Sequence, residues 1–235
     1  MTDLSELRFF TTPEHECSYL DDKLSTTLFA DPAAIIGTDL YSALSAVGFR
    51  RSGQHIYRPH CHDCAACIPA RVPANLFKRN KKQNRVWRKN KDMVVNIVSP
   101  ANNDEYFALY EKYIAIRHPD GDMYPADRAQ FESFLVTGRP EAIFIEFRSA
   151  DRLIGICVAD LLNEGISAIY TFFDPDDSRR SPGTYAVLWL IEKAIELNKQ
   201  HVYLGYWIRD CQKMNYKTDY RPIEMYYRDE WQLVS

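Results

Sequence analysis

The chain has 235 residues, 46% hydrophobic and 26% charged. That is enough to bury a core without disulfides, and it points to a soluble globular class. A net charge of −3 does not mark a nucleic-acid binder by its total, and no apolar run approaches the roughly 18 residues of a membrane-spanning helix. Asp3 and Glu6 stand where a secretory signal would be basic, so a cytoplasmic protein is expected. Thiols stay reduced there, and the six cysteines read as metal ligands or buried thiols before disulfides.

Residues 1–75 read as irregular and hold prolines and four of the cysteines. Three of these fall in "YRPHCHDCAACIPAR" (57–71) as C-x-x-C-x-x-C: Cys61, Cys64 and Cys67. A metal site, a disulfide staple and a catalytic thiol are the open readings. Next comes a basic segment, 76–92. "KRNKKQNRVWRKNKD" (78–92) carries eight cations, Lys78, Arg79, Lys81, Lys82, Arg85, Arg88, Lys89 and Lys91, against one acid, Asp92. Such a cluster suits a phosphate backbone, because each neutralised phosphate releases counterions. A solvated helix face is the alternative, and Trp87 could stack on a base or anchor the segment.

From residue 93 the pattern becomes regular. "MVVNIVS" (93–99) reads as a strand. Asn102 or Asn103 caps a helix running to His118. "HPDGDMYP" (118–125) is a loop, and "ADRAQFESFLV" (126–136) a second helix. Strands at 142–148, 153–162 and 166–174 follow as hairpins. "GTYAVLWLIEKAIELNK" (183–199) is an amphipathic helix, "VYLGYWI" (202–208) a strand, and "PIEMYYR" with "WQLV" a closing pair. This order predicts an α+β fold, one mixed sheet with flanking helices. The helix at 183, entered through "RRSPG" after a long antiparallel strand, resembles the corner of GNAT acyltransferases. There, helix N-terminal N–H groups face the phosphates of the acyl donor. Arg180 and Gly183 meet the R-x-x-G part of that signature. Tyr185 replaces its second small residue, so a coenzyme A pyrophosphate is not the expected ligand.

Six dispersed stretches then agree: "HECSYL" (15–20), "GFRRSGQHIYRPHCHDCAACIPARV" (48–72), "YIAIRHPDGDM" (113–123), "YTFFDPD" (170–176), "SPGTYAVLWLIEKA" (181–194) and "YLGYWIRDCQKMNYKTDYRPIE" (203–224). Together they resemble the bacterial leucyl-tRNA–protein transferases, a branch of the family that includes the eukaryotic arginyl-tRNA–protein transferases. The resemblance implies a Cys-rich N-terminal domain (1–75), a basic connection (76–92) and a GNAT-like aminoacyl-transfer domain (93–235). It implies leucyl-tRNA as donor, proteins beginning with Asp or Glu as acceptors, and N-degron proteolysis as the fate of the product. A cytoplasmic monomer that touches no membrane is expected.

The chemistry is attack of an α-amine on an activated ester. That amine has an ordinary pKa of about 7.7–8.0, so part of it is neutral at pH 7, and neither a covalent intermediate nor a cofactor is required. The site must align the amine, accept a proton and stabilise an oxyanion. Tyr170, Asp174, Tyr206 and Tyr216 are the catalytic candidates. Each tyrosine could equally be a core aromatic, and Asp174 a turn cap. His118 could be a base or a structural loop residue. Lys213 and Lys217, four apart, could face a phosphate or be solvated. With Arg180, Gly183 and the basic segment, they form the expected tRNA contacts. Arg50, Arg51, Arg58 and Arg71 are candidates to read the acceptor carboxylate.

Three thiolates with a remote fourth can hold a 4Fe–4S cluster. Cys17 is the fourth candidate beside Cys61, Cys64 and Cys67. Zinc, with His60 or His62 replacing one thiolate, is the second reading, and a reduced thiol cluster the third. The eukaryotic relatives are associated with an iron–sulfur cluster, but carry a second cysteine where this chain has Leu20. Two other functions fit parts of the sequence: an acetyl-CoA-dependent N-acetyltransferase, and a non-enzymatic RNA-binding or zinc-ribbon module.

Overall fold

The computed structural model describes residues 4–234; Asp3 lies outside them. The N-terminal region builds β1 (Phe9–Thr11), β2 (His15–Glu16), β3 (Leu24–Ser25), β4 (Thr27–Ala30), α1 (Thr38–Ala46), β5 (Arg50–Ser52) and β6 (His55–Pro59). Four of these strands form a sheet in the order β1-β4-β6-β5. The region expected to be irregular with short elements is built of such elements. Its strands run for two to five residues, too short to print a period on the sequence.

There follow β7 (Ile68–Pro73), α2 (Lys81–Lys89), β8 (Met93–Val98), α3 (Asp104–Arg117), α4 (Arg128–Phe131), β9 (Ala142–Ser149), β10 (Arg152–Leu161), β11 (Gly165–Phe173), α5 (Pro182–Glu196), β12 (His201–Trp207), α6 (Gln212–Asn215), β13 (Ile223–Tyr227) and β14 (Glu230–Val234). The main sheet has eight strands in the order β14-β13-β7-β12-β11-β10-β9-β8. It is the mixed sheet that the element order predicts. Strand β7, from the Cys-rich region, lies inside it, paired to β12 and β13.

The central strands are largely apolar because both faces are covered. Ile145, Phe147, Ile154 and Cys157 face α5 and its Ala186, Leu190 and Ile191. Phe144, Ile156, Val158 and Phe172 face α3 and its Tyr106, Tyr110 and Ile114. Neighbouring residues thus feed opposite layers, as the two-residue period of a strand requires.

Only β11 and β12 run parallel, and their pairing is brief: Gly165 with His201, Ile166 with Val202, Ser167 with Tyr203. Beyond that point β11 stays with β10 as far as Phe173–Gly155, while β12 stays with β7 as far as Trp207–Ile68. The sheet forks there. Gly205, with φ +84°, takes a backbone conformation on β12 that a side chain disfavours.

The two sheets are joined by a buried ion pair. Arg51 meets Asp160 through Nε–Oδ2 at 2.6 Å and Nη2–Oδ1 at 2.7 Å, with both side chains fully buried. Tyr41 donates to the same carboxylate at 2.6 Å. Burial and then the Asp160 charge push the Tyr41 phenol far up, so it stays a donor. Removing either partner strands a charge in the interior. Arg51→Met or Asp160→Asn should each lower the unfolding free energy by about 3–5 kcal/mol in urea titration. A loss under about 1 kcal/mol would place the pair among exposed ones.

Candidate active site

Arg50 occupies the fork. From β5 its Nη1 donates to Ser167 Oγ at 2.8 Å and reaches Tyr203 O at 3.5 Å, and its Nη2 donates to Ala168 O. One guanidinium thus contacts β11 and β12 at their last paired positions. The sequence makes this arginine a candidate acceptor reader; its donors face the backbone of the fork instead.

The turn Tyr216–Asp219 follows α6 and closes over the fork. It is tied down by Gln83, whose Nε2 donates to Asp219 O at 2.9 Å, and by buried Tyr220 against Phe77. Lys217 is only 2% exposed. Its Nζ donates to Met214 O at 3.4 Å, lies 3.6 Å from Met214 Sδ and sits 4.6 Å from the Tyr216 ring centre. Burial, and then the Arg50 charge, pull its pKa down to about 7. Tyr216 is 44% exposed, yet protein surrounds its phenol closely enough to raise its pKa. Lys213 is exposed.

The α3 face of the sheet is aromatic. Tyr170 packs on Tyr110, Tyr113, Phe134 and Phe172. Its buried hydroxyl has no hydrogen-bond partner among the described residues. His118 lies 3.4 Å from Tyr113 Oη. Burial first, then Lys213 and Arg117, lower its pKa, so it is neutral near pH 7. Asp174 braces the turn after β11, with Lys112 at 2.6 Å and Arg152 at 2.9 Å, and accepts from Asp176 N. Burial raises its carboxyl, but these partners outweigh that and hold it below the ordinary range. This is the turn-cap role.

Beside the fork lies a cavity of about 460 Å³ whose walls include Cys17, Cys61, Cys64 and Cys67, together with Tyr57, Tyr206 and Arg228. The buried Tyr206 hydroxyl donates to Gly48 O at 2.9 Å. All six cysteines are free. Burial, then the neighbouring thiols Cys17, Cys61, Cys64 and Cys211, push Cys67 up to about 12, so the cavity thiols lie close to one another. Among the described residues no three His, Cys, Asp or Glu side chains are arranged to hold a metal ion. His62 faces Asp63 at 2.6 Å on the surface.

Nor do the remaining candidate arginines line this cavity. Arg51 is held by Asp160. Arg71 pairs with Glu224 at 2.5 Å and covers Trp231 at 4.1 Å. Arg58 covers Phe49 at 5.2 Å. Among the described lining residues Arg228 is the cation, beside His15 and His60. It sits at φ +53° in the turn between β13 and β14. Its sequence signal is slight: an arginine between two closing strands, outside every basic cluster.

The basic run forms α2. Asn80 and Gln83 cap it reciprocally, each backbone N–H donating to the other's side chain at 2.9 Å. Trp87 anchors it on Tyr185 at 5.3 Å, so the indole belongs to the core contact. Arg79 is committed to Glu192 at 2.6 Å. Lys78, Lys81, Lys82, Arg85, Arg88, Lys89 and Lys91 lie along the same segment, and all seven are exposed. Arg180 meets Asp92 at 2.7 Å and, with Ser149, pulls that carboxyl down to about 2. Gly183 leaves room for Phe173: an added Cβ would lie 3.4 Å from its ring.

A forked mixed sheet leads through β11 and the turn Pro175–Arg180 into α5, and the enzyme's class is that of the aminoacyltransferases. Within it, the chain belongs to the arginine-tRNA–protein transferase family, whose N-terminal model matches residues 15–85 and whose C-terminal model matches residues 105–227. It is similar to the aspartate/glutamate leucyltransferase of Hahella chejuensis, with 52% identity over 98% of this chain and 99% of that one. The enzyme of the same name from Pseudomonas savastanoi pv. phaseolicola is 52% identical over 98% of each chain. That from Pseudomonas fluorescens is 51% identical over 100% of each. The solved structure of FemX aligns at 10% identity over 88% of this chain and 81% of its own, with a TM-score of 0.48, a distant likeness.

The orphan hydroxyl of Tyr170 gives a direct test of its surroundings. Tyr170→Phe deletes a buried polar atom without breaking a hydrogen bond, so its melting temperature should equal or exceed that of the unaltered protein. A fall of several degrees in scanning fluorimetry would reveal a partner.

Proposed function

We propose that this protein transfers leucine from leucyl-tRNA to the α-amine of proteins beginning with Asp or Glu, and so commits them to N-degron proteolysis in the cytoplasm. What carries the reading is the similarity, over essentially the full length of both chains, to aspartate/glutamate leucyltransferases. The geometry supports it. The fork offers a place for an aminoacyl ester, and the cavity beside it is large enough for the first residue or two of a protein chain. The exposed face of α2, with Lys213, offers cations to an acceptor stem.

In this reading the ester carbonyl lies in the fork, and Tyr170 and Tyr216 are candidate donors to the oxyanion that forms on attack. Tyr206 forms the wall between fork and cavity. The four cysteines line the acceptor side as reduced thiols. Arg228, rather than the arginines tied into the core, reads the acidic side chain. A guanidinium distinguishes a carboxylate from an amide by charge and by paired hydrogen bonds. Arg50 shapes the fork from within.

The test is leucyl transfer from leucyl-tRNA to peptides beginning with Asp, Glu, Asn or Gln. Transfer to the first two is expected. Acetylation from acetyl-CoA with no leucyl transfer would overturn the proposal. Arg228→Gln should raise KM for the Asp peptide about tenfold or more, with a smaller effect on kcat. An unchanged ratio of Asp to Asn use would remove Arg228 from recognition. Replacing Lys81, Lys82, Arg85 and Arg88 by Gln should flatten the dependence of log affinity for tRNA on log salt, by about 0.7–0.9 for each phosphate no longer neutralised. Filter binding at several salt concentrations reads this slope.

A further inference from the structure

Lys217 is a buried lysine for which a structural role gives no account. No carboxylate pairs with it among the described residues; its polar neighbours are Met214 O at 3.4 Å and Met214 Sδ at 3.6 Å. A charged ammonium needs three acceptors, whereas a neutral amine has two N–H groups and one lone pair. Two weak acceptors satisfy the neutral form and leave its lone pair free. The charges around the amine favour that form too. Arg50, from β5, repels a proton there, while Cys211, from the turn before α6, attracts one only when ionised. The Tyr216 ring, 4.6 Å from Nζ, pulls the other way, since a ring face attracts a cation. The result is a lysine whose pKa is drawn down to about 7.

Its position is as telling as its surroundings. The turn that carries Lys217 packs on β12. That strand lines the cavity with Tyr206 and meets Arg50 in the fork through Tyr203 O. Lys217 thus sits on the strand that the fork and the cavity share. That is where an acceptor amine entering through the cavity would reach an ester lying in the fork.

We propose that Lys217 is the proton carrier of the transfer, taking the proton that the acceptor nitrogen sheds as it attacks and delivering it to the departing ribose oxygen. The proposal rests on the leucyl-transfer reading and names the general base within it. The nitrogen lone pair forms the new C–N bond, and the ester C–O bond breaks with its electron pair going to the ribose oxygen. The nitrogen's proton passes to Nζ, directly or through one water, and from Nζ to that oxygen. Lys217 ends neutral and ready for the next turnover. No oxidant, reductant or metal enters the balance.

Single-turnover transfer from leucyl-tRNA to an Asp-starting peptide tests this, with tRNA binding measured separately. Lys217→Met should slow transfer about a hundredfold or more while tRNA affinity stays within about threefold, as expected where binding and chemistry separate. Lys217→Arg should be equally slow, since a guanidinium holds its proton throughout. A Lys217→Met enzyme that transfers within threefold of the unaltered rate would overturn the proposal, as would full activity in Lys217→Arg. NMR titration of the unaltered protein labelled at lysine Cε needs no variant to fold. One lysine titrating near pH 7 is expected, and a set titrating entirely above pH 9 would overturn the proposal. If the unaltered protein transfers no leucine at all, the function itself fails; normal transfer with an indifferent Lys217 removes only the role of this residue.

Discussion

One dipeptide, Arg50–Arg51, determines how the two sheets meet. Successive residues of a strand point to opposite faces. Arg50 therefore enters the fork and bonds to β11 and β12, while Arg51 turns the other way into Asp160. The first sets a positive charge at the base of the fork. The second fixes the small sheet, and with it the cavity wall, against the large one. Without the ion pair, the register of Arg50 with Ser167 would depend on neutral ties such as Tyr206 to Gly48 O and Trp231 to Ala46 O.

The charge at the fork shapes what surrounds it. Burial first, and then the charge of half-buried Arg50, draw the pKa of Lys217 down to about 7. The tyrosines respond in the opposite sense. Tyr170, Tyr206 and Tyr216 are all raised by burial, so each remains a donor at every pH at which the protein works. The site thus combines an amine that can accept a proton with phenols that keep theirs, a division that transfer from an ester requires.

The large sheet and its helices are legible in the sequence because their periods are long and their caps explicit: Asn103 does accept from Tyr106 N. The small sheet is not, since its strands are shorter than the window in which alternation shows. Among site residues the errors share one cause. An arginine or lysine in a motif looks free, and its partner can lie far along the chain. Asp160 is 109 positions from Arg51 and Glu224 is 153 from Arg71. Lys213 and Lys217 look like one helical face, but α6 ends at Asn215, and the turn that follows carries Lys217 inward while Lys213 stays out. The spacing of the cysteines leaves a cluster, a zinc ion and reduced thiols open; in the fold Cys17, Cys61, Cys64 and Cys67 line one cavity wall.

Strand β7 has a further consequence. It carries the chain out of the cysteine loop and waits between β12 and β13, both made long after it during synthesis. Until they emerge it has two bare edges, next to reduced thiols, and bare edges recruit other chains. Pairings this distant in sequence form late and slowly. A nascent chain stalled after β11 is therefore an open template rather than a smaller enzyme. The cell must shelter this protein during its own making before it can help remove any other.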